Sequence, residues 1–140
     1  IAQTGEKFIH HYEVFPKRKE DKELIKPALK AHKQLFGTGP DVLATDKGFY
    51  ENMKQVLKLE EKITTVSICK KGRRNQAEYE RESTEEFKDG QRFRAGCEGS
   101  ISVLKRVFKL SRCLFKGYKN YAASVGCAVF CHNLVLPTRL

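Results

Sequence analysis

Two acidic residues of this chain stand where a carboxylate could do chemistry. Asp46 follows a short apolar run in the stretch VLATDKGFY, and Glu98 lies in RFRAGCEGSISVLKRVFKL. An aspartate at the end of a strand either caps a turn or ligates a metal ion. The stretch around Asp46 does not by itself decide between these two roles.

The segment around Glu98 has the periodicity of a helix. At about 100° per residue, Arg94, Glu98 and Lys105 fall within about 40° of one another, at the border of an apolar face. That face consists of Phe93, Cys97, Ile101, Leu104 and Phe108. The trio is either a surface Arg–Glu pair worth ~0.2–0.5 kcal/mol with a nearby lysine, or a metal-ligating acid flanked by phosphate-binding cations. Local geometry favours the surface pair.

Alternating strands and helices must position these residues. The patterns predict strands over residues 8–15, in DVLAT and in KITTVSICK. Between them, a helix with Pro27 near its start and Gly37 just past its end is preceded by a turn from Asp21. The helix ENMKQVLKLEE places its apolar residues Met53, Val56 and Leu57 on one side. This alternation predicts an α/β fold with parallel strand pairing.

The chain ends in a long apolar segment, YAASVGCAVFCHNLVL, which contains His132 and Asn133. It falls short of the ~20 residues that a membrane helix needs, so we expect a buried helix. The five cysteines are an odd number without C-x-x-C spacing, which favours free thiols in a reducing compartment.

Positive charge is concentrated towards the end of the chain. The net charge is +10, yet up to Glu98 there are 20 Lys and Arg residues against 17 acids, and beyond it seven against none. This distribution favours a polyanionic partner, with nucleic acid ahead of an anionic membrane surface. A second basic group, Lys70, Lys71, Arg73 and Arg74, forms a polar loop for which simple solvation is the favoured alternative.

The spacing of Arg94, Glu98 and Lys105 resembles the signature around the last acid of the DDE transposases of bacterial insertion sequences. ATDKGFY resembles the segment around their second acid, with Asp46 and Glu98 52 positions apart. YEVFP, KPALKAHKQLFG and SRCLFKGYKNYAASVGCAVFCHNL extend the likeness over residues 8–136. The family has an RNase H-like catalytic core.

The resemblance implies an α/β fold with an RNase H-like mixed sheet flanked by helices, incomplete at the N-terminus and followed by a helical C-terminal region. Residues 1–140 would form a single, partial catalytic domain. Asp46 and Glu98 would be catalytic and hold two Mg²⁺ or Mn²⁺ ions. The implied DNA-binding residues are Arg94, Lys105, Lys70, Lys71, Arg73, Arg74, Lys109 and Arg112.

The resemblance also implies partners and a location. The partners would be transposon ends and target DNA, bound by an oligomer in the bacterial cytoplasm, close to the nucleoid and away from membranes.

Two departures from the family pattern limit what the resemblance implies. Gln91 stands where the family has a tyrosine, so a stacking or positioning contact to DNA is expected to differ. The first acid of the family's triad has no counterpart, because Glu6, Glu13 and Asp41 do not occupy a matching position. We therefore predict that the chain alone does not cleave DNA. A non-catalytic basic module that binds nucleic acid and an inactive transposase remnant are the alternatives.

Overall fold

The computed structural model describes Ile1 to Arg139, which form two compact units. The sheet unit comprises Lys19–Ala95, and the hairpin unit comprises Ile1–Arg18 together with the chain from Gly96 onwards. The elements are β1 (Ala2–Gln3), β2 (Ile9–His11), α1 (Ile25–Phe36), β3 (Val42–Thr45), α2 (Met53–Glu60), β4 (Thr65–Ile68), α3 (Gln76–Ser83), α4 (Glu85–Arg106) and α5 (Tyr118–Val135). Short 3-10 turns occupy Asp21–Leu24, Lys47–Phe49 and Leu136–Arg139.

In the sheet unit, β3 and β4 form a parallel pair that α2 connects. The register runs from Val42 opposite Thr65 to Thr45 opposite Ile68. Burial of β-branched residues from β4, from the segment before it and from the helices α1 and α2 holds this layer together, and Leu43 of β3 packs against them partly buried. The buried core residues are Ile25, Val56, Ile63, Val66 and Ile68.

Helix α1 has the predicted ends. The 3-10 turn Asp21–Leu24 leads into it, and Pro27 lies in its first turn, where a missing backbone N–H costs nothing. Gly37 ends the helix with φ 78° and donates its N–H to the Lys33 carbonyl at 2.9 Å. This is the left-handed cap that glycine adopts without steric strain.

The predicted face of α2 is wrong in one residue. Val56 is fully buried, and Met53 and Leu59 pack beside it, whereas Leu57 is 54% exposed. Residues three apart lie about 60° apart around a helix, while the next residue is turned by about 100°. A face centred on Val56 therefore takes its neighbours at i−3 and i+3 and leaves Leu57 in solvent.

In the hairpin unit, β1 and β2 pair antiparallel against α5. The side-chain amide of Asn133 acts like a neighbouring strand, since it accepts from the Ile9 N–H at 3.0 Å and donates to the Ile9 carbonyl at 2.9 Å. Ile9 is buried in a core shared with α4 and α5. The other buried members are Leu104, Ala128 and Val129.

The strand predicted over residues 8–15 is shorter in the structure. Only Ile9–His11 is extended and paired, because β1 offers just two residues as a partner. Further along, the Val14 carbonyl accepts a hydrogen bond from the Tyr118 hydroxyl at 2.6 Å. A side chain thus replaces the strand that a longer ladder would need.

The expectation of a buried C-terminal helix is wrong. Of the 18 residues of α5, only Ala128, Val129 and His132 are buried. Phe130 and Leu134 are 64% and 57% exposed, although the helix is apolar around its circumference. The rest of the hairpin unit covers the side of α5 that carries Ala128, Val129 and His132, and it leaves Phe130 and Leu134 in solvent.

The same helix is also longer than predicted. With the following 3-10 turn, Tyr118–Thr138 spans 21 residues and meets the length and hydropathy of a membrane-crossing helix. The prediction that it falls short of that length is wrong. One such helix does not show a membrane location.

The predicted mixed sheet is present only as two separate two-stranded sheets within the described chain, and helices predominate. A side chain occupies one edge of β4, since the Arg81 guanidinium donates to the carbonyls of Val66 and Ile68 at 2.7 and 3.4 Å. It also pairs with Glu60 at 2.8 Å. These contacts occupy edge carbonyls with which a further strand would pair.

Candidate functional site

The carboxyl ends of β3 and β4 lie side by side. Thr45 and Ile68, the last residues of β3 and β4, lie opposite each other in the parallel register. Asp46 and Cys69 are therefore the first residues beyond the carboxyl ends of the two strands. Ligands of open α/β sheets bind at such carboxyl edges. The prediction that Asp46 ends a strand is confirmed.

Asp46 caps the turn that follows β3. Its carboxylate oxygen Oδ1 accepts from the Lys47 N–H at 2.7 Å, and its carbonyl accepts from the Phe49 N–H at 3.0 Å. The residue is nevertheless exposed. The turn-capping interpretation is confirmed, and a carboxylate that caps through one oxygen and faces solvent still has the chemistry of a metal ligand.

Opposing charges converge on Cys69 at the end of β4. Burial raises the pKa of the Cys69 thiol, the Glu82 carboxylate raises it further, and the guanidinium groups of Arg74 and Arg94 lower it. The Asp46 carboxylate also raises it. Both Asp46 and Arg94, two predicted site residues, thus act electrostatically on the thiol at the end of β4, and they act in opposite directions.

The first half of α4 contacts the parallel strands closely. A Cβ atom at Gly90 would lie 2.5 Å from the Cβ atom of Ser67, a distance that real side chains do not reach. The Ser67 hydroxyl donates to the Phe87 carbonyl at 2.7 Å. The helix carrying Arg94 is thereby fixed against β4.

Gln91 completes this contact. Its side-chain amide Nε2 donates to the Ser67 carbonyl at 2.7 Å, to the Ser67 hydroxyl oxygen at 3.1 Å and to the Thr45 carbonyl at 3.4 Å. The residue that departs from the transposase signature therefore binds the ends of both strands. Sequence reasoning missed this role, and the only signal was a glycine directly before a polar residue inside a helical pattern.

Glu98 and Lys105 follow Arg94 on α4 and are both exposed. They belong to the hairpin unit, whereas Arg94 and Asp46 belong to the sheet unit. The predicted apolar face of α4 is partly wrong. Leu104 is buried, but Ile101 is 36% exposed. Phe108 lies beyond the helix end at Arg106.

The described residues contain no group of three or more His, Cys, Asp or Glu side chains that could hold a metal ion. Asp46 and Glu98 each offer carboxylate oxygens, the donors that Mg²⁺ prefers. By donor chemistry each of the two carboxylates, taken by itself, suits such an ion.

The predicted basic loop divides into paired and unpaired cations. The Lys70 ammonium lies 2.6 Å from the Glu78 carboxylate, and Arg74 Nε lies 2.6 Å from the Glu82 carboxylate. Lys71 and Arg73 are exposed and form no ion pair within residues 1–139. Sequence reasoning did not anticipate the two glutamates, although Asn75 and Glu78 have the spacing of a capping box and form one.

The cations after Glu98 remain in solvent. Lys105, Lys109 and Arg112 are exposed, and none pairs with a carboxylate in the part of the chain that the structure describes. Lys109 has φ 61°, a left-handed conformation at the turn after α4. This surface carries positive charge that no acid neutralises.

Comparison with known proteins agrees with the sequence signature. A family model, the transposase DDE domain, matches residues 1–134. No curated protein and no solved structure matches the chain. The matched segment includes Asp46, Arg94, Glu98 and Lys105. The chain therefore belongs to the transposase DDE domain family.

Proposed function

We propose that this chain is a partial catalytic domain, over residues 1–140, of a bacterial insertion-sequence transposase. The complete enzyme would cleave phosphodiester bonds at transposon ends and transfer the strands to target DNA. The observation that carries this proposal is the position of Asp46, exposed at the carboxyl edge of a parallel strand pair, in a chain of the DDE family.

Asp46 and Glu98 are the residues we propose to hold two Mg²⁺ or Mn²⁺ ions. When bound, such ions activate the attacking oxygen and stabilise the leaving oxygen. The chain itself would position the carboxylates, since the turn at Lys47–Phe49 orients Asp46 and α4 carries Glu98. Arg94 and Lys105 would steady the phosphates on either side of Glu98.

The unneutralised cations support DNA as the partner. Phosphate contacts by lysine and arginine supply sequence-independent affinity and orient the duplex. Of the predicted DNA-binding residues, the unneutralised cations Lys105, Lys109, Arg112, Lys71 and Arg73 are the proposed phosphate contacts of this kind. Lys70 and Arg74 belong to the same loop but pair with glutamates, and Arg94 is proposed as a contact for its place beside Glu98 in the family signature. We further propose that the enzyme acts as an oligomer on DNA, in the cytoplasm near the nucleoid and without membrane attachment.

We expect the 140-residue chain alone not to cleave DNA. Two carboxylates neutralise and bridge two divalent ions poorly without a third acid. In the complete enzyme, a first acid that has no counterpart among Glu6, Glu13 and Asp41 would complete the site.

The test is cleavage, with Mg²⁺, of a duplex that carries the transposon ends, by the chain alone and by a longer protein that also supplies the first acid. We expect no cleavage by the chain alone and cleavage by the longer protein. In the longer protein, Asp46→Asn or Glu98→Gln should each reduce the rate more than ~100-fold, the loss that even outer-shell substitutions at metal sites reach.

Matched controls are Asp41→Asn, just before β3, and Glu86→Gln, in the first turn of α4. Both acids are exposed, and both variants should cleave at nearly the parent rate. Equal losses in the controls, or a robust Mg²⁺-dependent nick by the chain alone, would contradict the proposal.

A non-catalytic basic module that binds nucleic acid is the second candidate. The observation that favours it is the hydrogen bond by which Asp46 caps its own turn. Under this alternative, the longer protein binds duplex DNA without cleaving it, and Asp46→Asn leaves that binding unchanged.

A further inference from the structure

The basic loop, residues 70–74, turns sharply at its centre. Gly72 has φ 83°, in the left-handed region that side chains rarely adopt, and it places Lys71 and Arg73 on either side of the tip. Both flanking residues are exposed. The loop therefore projects two cations into solvent.

Two glutamates of α3 hold the ends of this loop. Glu78 accepts from the Lys70 ammonium at 2.6 and 2.7 Å and from the Asn75 N–H at 2.8 Å. Glu82 accepts from the Lys70 N–H at 2.8 Å and pairs with Arg74. Glu78 and Glu82 are one helical turn apart, so one face of α3 binds both the beginning and the end of the loop.

These contacts give Lys70 and Arg74 carboxylate partners within the chain, although their side chains are 26% and 42% exposed. The side chains of Glu78 and Glu82 are each only 9% exposed. A cation that left for a DNA phosphate would leave one of these carboxylates without its ion pair, which opposes the exchange. The hydrogen bond from Lys70, followed by that from the Asn75 backbone, also holds the pKa of Glu78 below its usual range, so the acid stays charged at neutral pH.

We propose that Lys71 and Arg73 are the phosphate-contacting residues of the basic loop, and that Lys70 and Arg74 are positioning residues that Glu78 and Glu82 hold in place. This inference rests on the proposed function for DNA as the partner. It divides four similar cations into two roles.

The test compares two double variants that remove the same charge from the same loop. Lys71→Ala with Arg73→Ala removes the two cations that have no carboxylate partner in the described chain. Lys70→Ala with Arg74→Ala removes the two cations that pair with Glu78 and Glu82. The measurement is the salt dependence of binding to a short duplex DNA by fluorescence anisotropy, with hydrogen exchange of residues 70–76 as a second readout.

Loss of Lys71 and Arg73 should reduce the steepness of log affinity against log salt by about 2, roughly one unit for each lost phosphate contact. It should leave hydrogen exchange unchanged. Loss of Lys70 and Arg74 should leave that steepness unchanged and accelerate hydrogen exchange of the backbone through the loop. Equal reductions of the slope by the two double variants would overturn the proposal.

A third variant tests the positioning role of Lys70 even if Lys70→Ala with Arg74→Ala fails to fold. Lys70→Gln with Glu78→Gln removes the ion pair without changing net charge and retains groups that hydrogen-bond each other. Its slope should equal that of the parent chain, and a reduced slope would contradict the positioning role of Lys70.

Binding by the parent chain distinguishes failure of the proposed function from failure of the division of roles in the loop. A parent chain without salt-dependent affinity for duplex DNA contradicts the proposed function. A parent chain that binds, but whose slope does not respond to loss of Lys71 and Arg73, contradicts only the division of roles in the loop.

Discussion

At the scale of single residues, the pKa of the Cys69 thiol depends on burial and on the charges around the candidate site. Burial is the largest cause of its raised pKa, and the carboxylates of Glu82 and Asp46 act in the same direction. Arg74 and Arg94 oppose them without cancelling the shift. Since the thiolate is the nucleophile, a raised pKa makes this thiol less reactive at neutral pH.

We therefore expect Cys69 to alkylate slowly. In a variant that retains only this cysteine, the rate of reaction with iodoacetamide should rise with pH along a curve displaced above that of a free cysteine peptide, whose pKa is about 8.5. Mass spectrometry across a pH series measures that rate.

A variant that retains only Cys127, which is exposed, is the control that shows the reagent alkylates an accessible cysteine of this protein. A Cys69 profile that coincided with or fell below that of the peptide would show that the two arginines outweigh burial and the carboxylates.

At the scale of elements, the contact between α4 and β4 determines where Arg94 lies. Helix and strand approach so closely at Gly90 that a methyl group would overlap the Ser67 side chain. The Gln91 amide fixes the same turn of the helix to the carbonyls of Ser67 and Thr45. Backbone proximity and hydrogen bonds together set the position of the helix on the sheet edge.

We expect Gly90→Ala to destabilise the protein by about 1–3 kcal/mol, the typical cost of overpacking a tight contact. Gly99→Ala is the matched control on the same helix, because apart from its chain neighbours and the nearby backbone of the helix itself no atom lies within 4 Å of the added Cβ. It should stabilise by about 0.5–1 kcal/mol, since alanine favours a helix interior over glycine.

Urea denaturation measures both changes, and opposite signs are the expected outcome. A neutral or stabilising Gly90→Ala would mean that the helix shifts easily away from β4.

At the scale of the whole molecule, apolar and basic surface occur on the same chain. Helix α5 leaves Phe130 and Leu134 exposed, and the turn before it exposes Leu114 and Phe115 by 80% and 65%. Apolar surface of this kind promotes association with other molecules, while a net charge of +10 opposes it by repulsion. Salt screens that repulsion, so apolar contact should prevail at high ionic strength.

We expect Phe130→Ser with Leu134→Ser to raise solubility at high salt without lowering the melting temperature, because both side chains are already in solvent. Light scattering against salt concentration and thermal unfolding provide the two measurements.

Val129→Ser, one residue away on the buried face, is the matched control and should destabilise by roughly 1–3 kcal/mol. A large loss of stability in the Phe130 and Leu134 variant would show that these side chains pack in the folded protein.

Several features of the fold follow from short-range patterns. The ends of α1, the strand before Asp46 and the β-branched strand β4 were predicted because glycine, proline and β-branched residues act on the backbone nearest to them. The extent of the sheets and the burial of α5 were not. Both depend on which side chains occupy an edge or a face, as Arg81 does on β4 and Asn133 on β2.

The sequence by itself determined the family, the charge distribution and the candidate acids, because residue type and spacing carry that information. The tertiary structure alone decided that Gly90 lies against Ser67, that Gln91 binds the strands, and that Glu78 and Glu82 neutralise half of the basic loop. Each of these depends on residues from different elements approaching within a few ångströms. Local periodicity does not specify such distances, because they are set by packing of the whole unit.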